Sequence, residues 1–522
     1  MAQLSEAKLA ELIAILRPQP PEDVPEGSRL TVHGAVSRFA FLYEKIRNAV
    51  DYQDDHLLRK SAILRILKRQ LVLEADADQI ATHLVRELIA ARYLPNGTLN
   101  ESIVTQAADI IRKLKAVLSH RSDAHHQRWL MGIVAAELEE TFGGHVQEQA
   151  LVHFLYEPLG DRITLRQTEM DDTERRLQVY IACYRALFKV DDELLGYKLV
   201  RAYYSAWMHP ETWIEHREEM ALQMIGVEMR VRAQLRHRLG QKFLSAVKPW
   251  AISLSLLRKV LQEHPKDAEQ LLRQPAELEN AIQQMAGRLY KESHAKLHRG
   301  IVRAMIYLFI TKILIAFAIE VPLETILYAH LNYIPLIINV LLPPTIMFFV
   351  GSLIRVPGKD NTARIVRGAE ELLSPEGPRG REIRIPKTHS AFGKFLFSVF
   401  YAFTFLLTFG LVYDILNKLH FTWISSIIFI FFLTVVSFFA FRLRQVVREC
   451  VVVERVDSFT QAVMDFFSLP ILRVGQALSQ SISRLNIFIF FFDFIIEAPF
   501  KLFLNVLEEW FSFMKEKKDE LR

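Results

Sequence analysis

The chain has only two cysteines, Cys183 and Cys450, among 522 residues. Neither has a CxxC partner or a nearby set of histidines. That excludes a disulfide framework and a Cys-rich metal site, and fits a protein facing the cytosol. Walker A, GxSxG, GxGxxG and HExxH are also missing, so no nucleotide loop, nucleophile elbow or zinc-protease helix is written in the chain. The segment "SPEGPRGREI" (Ser374–Ile383) is rich in Gly and Arg but lacks the strand–loop–helix setting of a phosphate loop. No repeat period is found. A large excess of one charge is absent too: +5 is mild and makes no case for nucleic acid. The opening "MAQLSEAKLAELIAILRPQP" does not read as a signal peptide, because Glu6, Lys8 and Glu11 interrupt its apolar residues. It predicts a short amphipathic helix that stops near Pro18. "KKDEL" is followed by Arg522, so it does not read as a retention signal.

What is present is divided unevenly. About 30 of the 36 Phe follow residue 300, whereas most of the charge precedes it, which marks a domain boundary. Four segments, 301–321, 331–354, 395–416 and 421–441, approach the ~20 apolar residues a bilayer span needs. Basic residues alternate along their flanks. Arg288 to Arg303 precede the first span, Arg355 to Lys394 fill the loop after the second, and Arg442 to Arg455 follow the fourth. The connection after the first span carries Glu320 and Glu324 instead. By the positive-inside rule the N-terminal region, the long loop and the C-terminal region are all cytoplasmic. Residues 487–507 are long enough to cross, but Asp493, Glu497 and Lys501 form a polar stripe at helical spacing. An amphipathic helix at the inner interface is favoured there over a fifth span.

Residues 28–299 read as helical throughout, with apolar faces at helical spacing and charge opposite. Brief alternation occurs only in "GDRITLRQT" from Gly160. Asn96-Gly97 is a turn signal, and Asn100 a cap for the next helix. His120, Asp123, His125 and His126 have no metal-ligand spacing. They read as a turn in which Asp123 caps the following helix. The acidic groups Asp51/Asp54/Asp55, Asp171/Asp172 and Asp191/Asp192 each stand where a helix begins, and capping is their default role. Two helices are strongly basic: Arg59, Lys60, Arg65, Lys68 and Arg69 on one, and Arg230, Arg232, Arg236, Arg238 and Lys242 on the other. Such faces are either paired with acids from neighbouring helices or set against anionic lipid headgroups; nucleic acid is the least favoured partner.

The costliest residue is Lys312, at the middle of the first span. It can snorkel toward the cytoplasmic side, since helical side chains lean N-terminally, or it can take an internal partner, as charges in spans usually do. Pro343 and Pro344 interrupt the second span and deprive the carbonyls of Asn339 and Val340 of helical donors. Those carbonyls, Asp493 and Glu497 are the partners expected for Lys312.

"LQVYIACYRALFKVDDELLGYKLVRAYYSAW" (Leu177–Trp207), "TKILIAFAIEVP" (Thr311–Pro322) and "DFIIEAPFKLF" (Asp493–Phe503) together resemble a group of uncharacterised multi-pass membrane proteins of bacteria with reduced genomes. The resemblance covers most of the chain. It implies a setting, the inner membrane, and no catalytic residues.

The expected fold is all-α. A linker and amphipathic helix (1–27) precede a cytosolic helical domain (28–299). Spans 1 and 2 (300–355), a cytoplasmic loop (356–394), spans 3 and 4 (395–442) and amphipathic membrane-associated helices (443–522) follow. No cofactor and no metal are expected; the bilayer and either a protein partner or further copies of the chain are. The leading expectation is a scaffold whose cytosolic domain docks a partner at the inner membrane. The alternative is a homo-oligomeric transporter or channel subunit using Lys312, Asn339 and the Pro343-Pro344 break. A membrane enzyme ranks third, with no catalytic set to support it.

Overall fold

The computed structural model describes residues 5–17, 29–32, 34–48, 55–74, 76–118, 123–144, 146–166, 170–209, 216–328, 333–354, 357–384, 391–448, 451–452, 466 and 468–477, with 506, 510, 513 and 514 standing alone. These are nearly all helical and form two compact units. The first takes the chain up to Ala251 together with Leu372–Arg384; the second takes Ile252–Glu371 and the described residues from 391 to 477.

The first unit contains α1 (Glu6–Leu16), α2 (Gly34–Asn48), α3 (Asp55–Leu73), α4 (Ala77–Ala90), α5 (Ser102–Leu118), α6 (Ala124–Gly143), α7 (Val146–Gly160), β1 (Ile163–Arg166), α8 (Asp172–Phe188), α9 (Asp192–Tyr203), α10 (Arg217–Leu235) and the start of α11 (Gly240–Glu263). Side-chain caps start α4, α6 and α9, whereas Asp171 before α8 makes no such bond. Asp76 accepts from Gln79 N at 3.3 Å, Asp123 from His126 N at 2.6 Å, and Asp191 from Leu194 N at 2.9 Å, each satisfying an N–H that the first turn leaves free. The Asn96-Gly97 turn has Gly97 at φ 76°, where a Cβ would be strained, and the Asn96 amide exchanges two 3.0 Å bonds with the backbone of Val32. Ile80, Leu84, Val85 and Leu88 of α4 are fully buried. Burying each such side chain is worth about 1.5–3 kcal/mol relative to exposure.

The short alternation after Gly160 becomes β1. Its partner is β2 (Arg381–Arg384), parallel, with Ile163 opposite Arg381 and Leu165 opposite Ile383. The same segment is tied at further points: Ser5 N donates to Leu373 O at 2.8 Å, Arg381 N to Arg162 O at 2.9 Å, and Lys242 Nζ to Arg384 O at 2.9 Å. Residues 372–384, which the sequence places within a cytoplasmic loop, are thus built into the N-terminal helical unit.

The second unit holds α12 (Ala268–Arg273), α13 (Pro275–Ile315), a π turn (Ala316–Glu320), α14 (Val321–Tyr328), α15 (Tyr333–Ser352), α16 (Lys359–Leu373, its last turn in the first unit), α17 (Ala391–Lys418) and α18 (Trp423–Arg448). Four stretches are long and apolar enough to cross a membrane: Pro275–Leu327, Tyr333–Ser352, Phe395–Lys418 and Trp423–Arg444, with mean hydropathy 2.1, 2.0, 2.1 and 2.5. The first starts well before residue 301, as the scarcity of Gly and Pro in 210–300 implies for a helix leading directly into the span. Pro275 opens α13 at a position where its missing N–H costs nothing. The helix then continues for 41 residues, about 60 Å, twice the ~30 Å hydrocarbon thickness. Residue 300, the expected domain boundary, falls inside it.

Helices α13, α15 and α18 pack pairwise around Leu308, Met347, Phe432 and Val436, and α17 packs on α18. Neighbouring side chains fill the space beside two glycines: a Cβ at Gly351 would stand 2.7 Å from Ile301 Cδ1, and Gly300 faces Leu443. The expected break at Pro343-Pro344 is not formed: α15 runs through both prolines as one helix. Both rings are buried, packing holds the helix, and Thr345 Oγ1 donates to Leu341 O at 2.8 Å beside the lost bonds.

Candidate functional site

Lys312, near the end of α13, is fully buried, as are Glu320 and Asn339. Its Nζ donates to Glu320 Oε2 at 3.3 Å and lies 5.0 Å from the centre of the Phe432 ring. Asn339 Nδ2, from α15, donates to Glu320 Oε1 at 2.5 Å and reaches the carbonyl of Ser425 at 3.4 Å. Ser425, at the start of α18, points its hydroxyl at Glu320 Oε1 and, at 2.8 Å, at Glu324 Oε1. Glu324 also accepts from Thr422 Oγ1 at 2.7 Å. One ammonium, two carboxylates, an amide and two hydroxyls, carried on four helices and a π turn, therefore meet inside the apolar unit.

The π turn makes this meeting geometrically accessible. An α-helix advances about 100° per residue, so residue 320 would stand roughly 80° around the helix from residue 312. A π turn advances less per residue and brings Glu320 back onto the face of Lys312. Lys312 therefore reaches toward the C-terminal end of its helix, opposite to the snorkelling direction. Its partner is the carboxylate of Glu320, not the carbonyls of Asn339 or Val340.

Glu320, Glu324, Thr422 and Ser425 are the site residues that sequence reasoning missed. The sequence reading places Glu320 and Glu324 in the connection after the first span, outside the bundle. The available clue was the fourfold spacing of 312, 316, 320 and 324, with the apolar run continuing to Leu327. Asp493, Glu497 and Lys501, and the choice between an amphipathic helix and a fifth span at 487–507, lie outside the described residues.

The candidates in the first unit are held by one another. On α3, Arg59 pairs with Glu139 at 2.6 Å, Arg65 with Glu44 at 2.5 Å, Arg69 with Glu87, and the buried Lys60 with Asp191 and Glu193. This basic face is thus turned largely toward acids of neighbouring helices, with Lys68 exposed. On α10, Arg232 pairs with Glu228 at 2.5 Å and with His125, and Arg230 lies over Tyr203 at 5.5 Å. Arg236 and Arg238 are exposed. Asp123 caps α6, and the backbone N–H of His126 holds its carboxyl below the usual range. His126 itself bonds Glu228, while His120 lies outside the described residues.

A second buried ion pair, Lys113–Glu137 at 2.6 Å, is completed by Trp207, whose Nε1 donates to Glu137 at 2.9 Å and whose carbonyl accepts from Lys113 at 3.1 Å. Burial pushes the Glu137 carboxyl up and the Lys113 ammonium down. A shallow cleft is lined by His56, Glu139, Glu140, Glu148, Tyr184 and Lys198, but Glu139 and Glu140 are already engaged by Arg59, Lys198 and Arg201. Burial raises the Cys183 thiol far above its ordinary value, which keeps it protonated and inert. Among the described residues no group of three His, Cys, Asp or Glu side chains is arranged to hold a metal. Comparison of the chain with family models, with curated proteins and with solved structures finds no match, so the site is read from its own geometry.

Proposed function

We propose that the protein is an integral membrane protein, set in a bacterial inner membrane with both terminal regions cytoplasmic, and that its apolar helices form a transport or channel subunit. The observation that carries this is the fully buried Lys312–Glu320–Asn339 network. A buried ion pair is no better for stability than well-packed apolar residues of the same volume, so stability alone does not account for it. Ionisable groups facing the interior of a membrane bundle are by default parts of ion or substrate pathways, and π turns recur at functional sites. Four helices enclose little space, so this reading takes the active form to be a homo-oligomer. Reconstitution into liposomes tests it, with ion and solute flux compared between wild type and Lys312→Leu. Flux that falls in the variant is the expected result; no flux in either, or equal flux in both, overturns it.

A second reading, a scaffold that docks a protein partner, is favoured by one observation. On α10 Leu222, Ile225 and Met229 form an exposed apolar stripe at helical spacing on the first unit. Charge placed there, as in Leu222→Glu/Met229→Glu, is expected to abolish recovery of a reproducible partner from detergent extracts without altering flux.

A further inference from the structure

The network is not electrically balanced. Counted as ionised groups, Glu320 and Glu324 bring two negative charges and Lys312 one positive, all on residues no more than 3% exposed. The single hydroxyl proton of Ser425 faces two carboxylate oxygens, one from each glutamate. Asn339 Oδ1, on the amide whose nitrogen bonds Glu320, is buried with no hydrogen-bond partner among the described residues. Among the described residues, the groups that face the cluster from the packed helices do not titrate: α15 offers Asn339, and α18 with Thr422 just before it offers Ser425 and the ring of Phe432.

We infer that Glu320, Glu324 and Asn339, with Thr422 and Ser425, form a site for one monovalent cation. This deepens the transport reading and rests on it for its role, though not for its existence. The charge count selects valence. One added positive charge brings the cluster to neutrality, whereas a divalent ion leaves a net positive charge in an apolar interior, where an unpaired charge is costly. The donor set selects ion type: carboxylate, amide and hydroxyl oxygens suit a hard cation, not a thiolate- or imidazole-seeking metal. Two cations share this chemistry, an alkali-metal ion and a proton. The same charge count gives Lys312 a role as the fixed counter-cation that limits the site to one guest.

The test uses the full chain in detergent, with thermal stability followed at constant ionic strength in sodium, potassium or choline chloride and across a pH series. Stabilisation by sodium or potassium over choline, at least tenfold weaker in apparent affinity in Glu324→Gln and in Asn339→Leu, supports the site with an alkali-metal guest. Indifference to the alkali ion, with stabilisation on acidification that Glu324→Gln loses, supports it with a proton. Wild type and variants that respond alike to both, or a stronger response to magnesium than to any monovalent ion, overturn it. If neither variant folds, the comparison of salts and pH on wild type still decides. Binding without flux in liposomes rejects transport and keeps the site. Flux that persists unchanged in Glu324→Gln, with salt and pH responses that match wild type, rejects the site and keeps transport.

Discussion

Lys312 and Lys60 look alike in sequence, each a lysine on a helix with apolar neighbours, yet they occupy different settings. Lys312 bonds Glu320 where no solvent reaches either group. Replacing it by Leu leaves that carboxylate without its cation, and such a loss costs about 3–5 kcal/mol. The double variant Lys312→Leu/Glu320→Leu is expected to regain most of this in unfolding measurements in detergent; a double variant no better than the single one refutes the pairing. Lys60 is buried, which opposes its charge, but Asp191 and Glu193 more than compensate, and its ammonium is held above the usual lysine value. A raised value means stability that is full below the unfolded pKa, ~10.4, and that fades as pH rises through the folded one. Wild type is therefore expected to lose its stability advantage over Lys60→Met in the alkaline range, and a constant difference between them refutes the assignment. Sequence favoured an internal partner for Lys312 over snorkelling, because its setting was legible from its neighbours alone. It did not show that Lys60 was internal, because its partners lie 131 and 133 residues away.

Most elements were readable from periodicity and caps: Asp123 and Asp191 start their helices as acids at N-caps should. The π turn at Ala316–Glu320 was not, since nothing in "AFAIE" distinguishes one extra residue per turn from an ordinary helix; packing decides it. The prolines misled in the opposite direction. Their local cost is real, but α15 is held by neighbours on two sides and stays helical. Two glycines separate packing from propensity. Gly351→Val puts methyl groups into Ile301 and is expected to destabilise by about 1–3 kcal/mol. Gly287→Ala, in α13 with nothing within 4 Å of its added Cβ, is expected to stabilise by about 0.5–1 kcal/mol. Thermal unfolding of the two variants in detergent checks both signs, and a tolerated valine at 351 refutes the close approach.

At the scale of the whole molecule, composition located the change from charged to apolar chain, but not the units. The sequence boundary falls at residue 300, whereas the compact units divide near residue 251 and exchange residues 372–384. The reason is physical: α13 carries its charged half and its apolar half on one uninterrupted helix, so composition changes where structure does not. The exchanged segment was hidden because β2 is four residues long and its partner lies more than 200 positions earlier. That pairing has an arithmetic consequence. Strands that share hydrogen bonds must lie in the same aqueous compartment, so the chain between residues 166 and 381 crosses the bilayer an even number of times. Two apolar helices stand in that interval, the α13–α14 run and α15, and either both cross or neither does. Single cysteines at Thr164 and Glu382, in a Cys183→Ser/Cys450→Ser background, are accordingly expected to label from one face of sealed vesicles with an impermeant maleimide. Labelling from opposite faces would break the count. The two short strands thus act as a parity check on the membrane topology, one that holds whichever side the basic loops face.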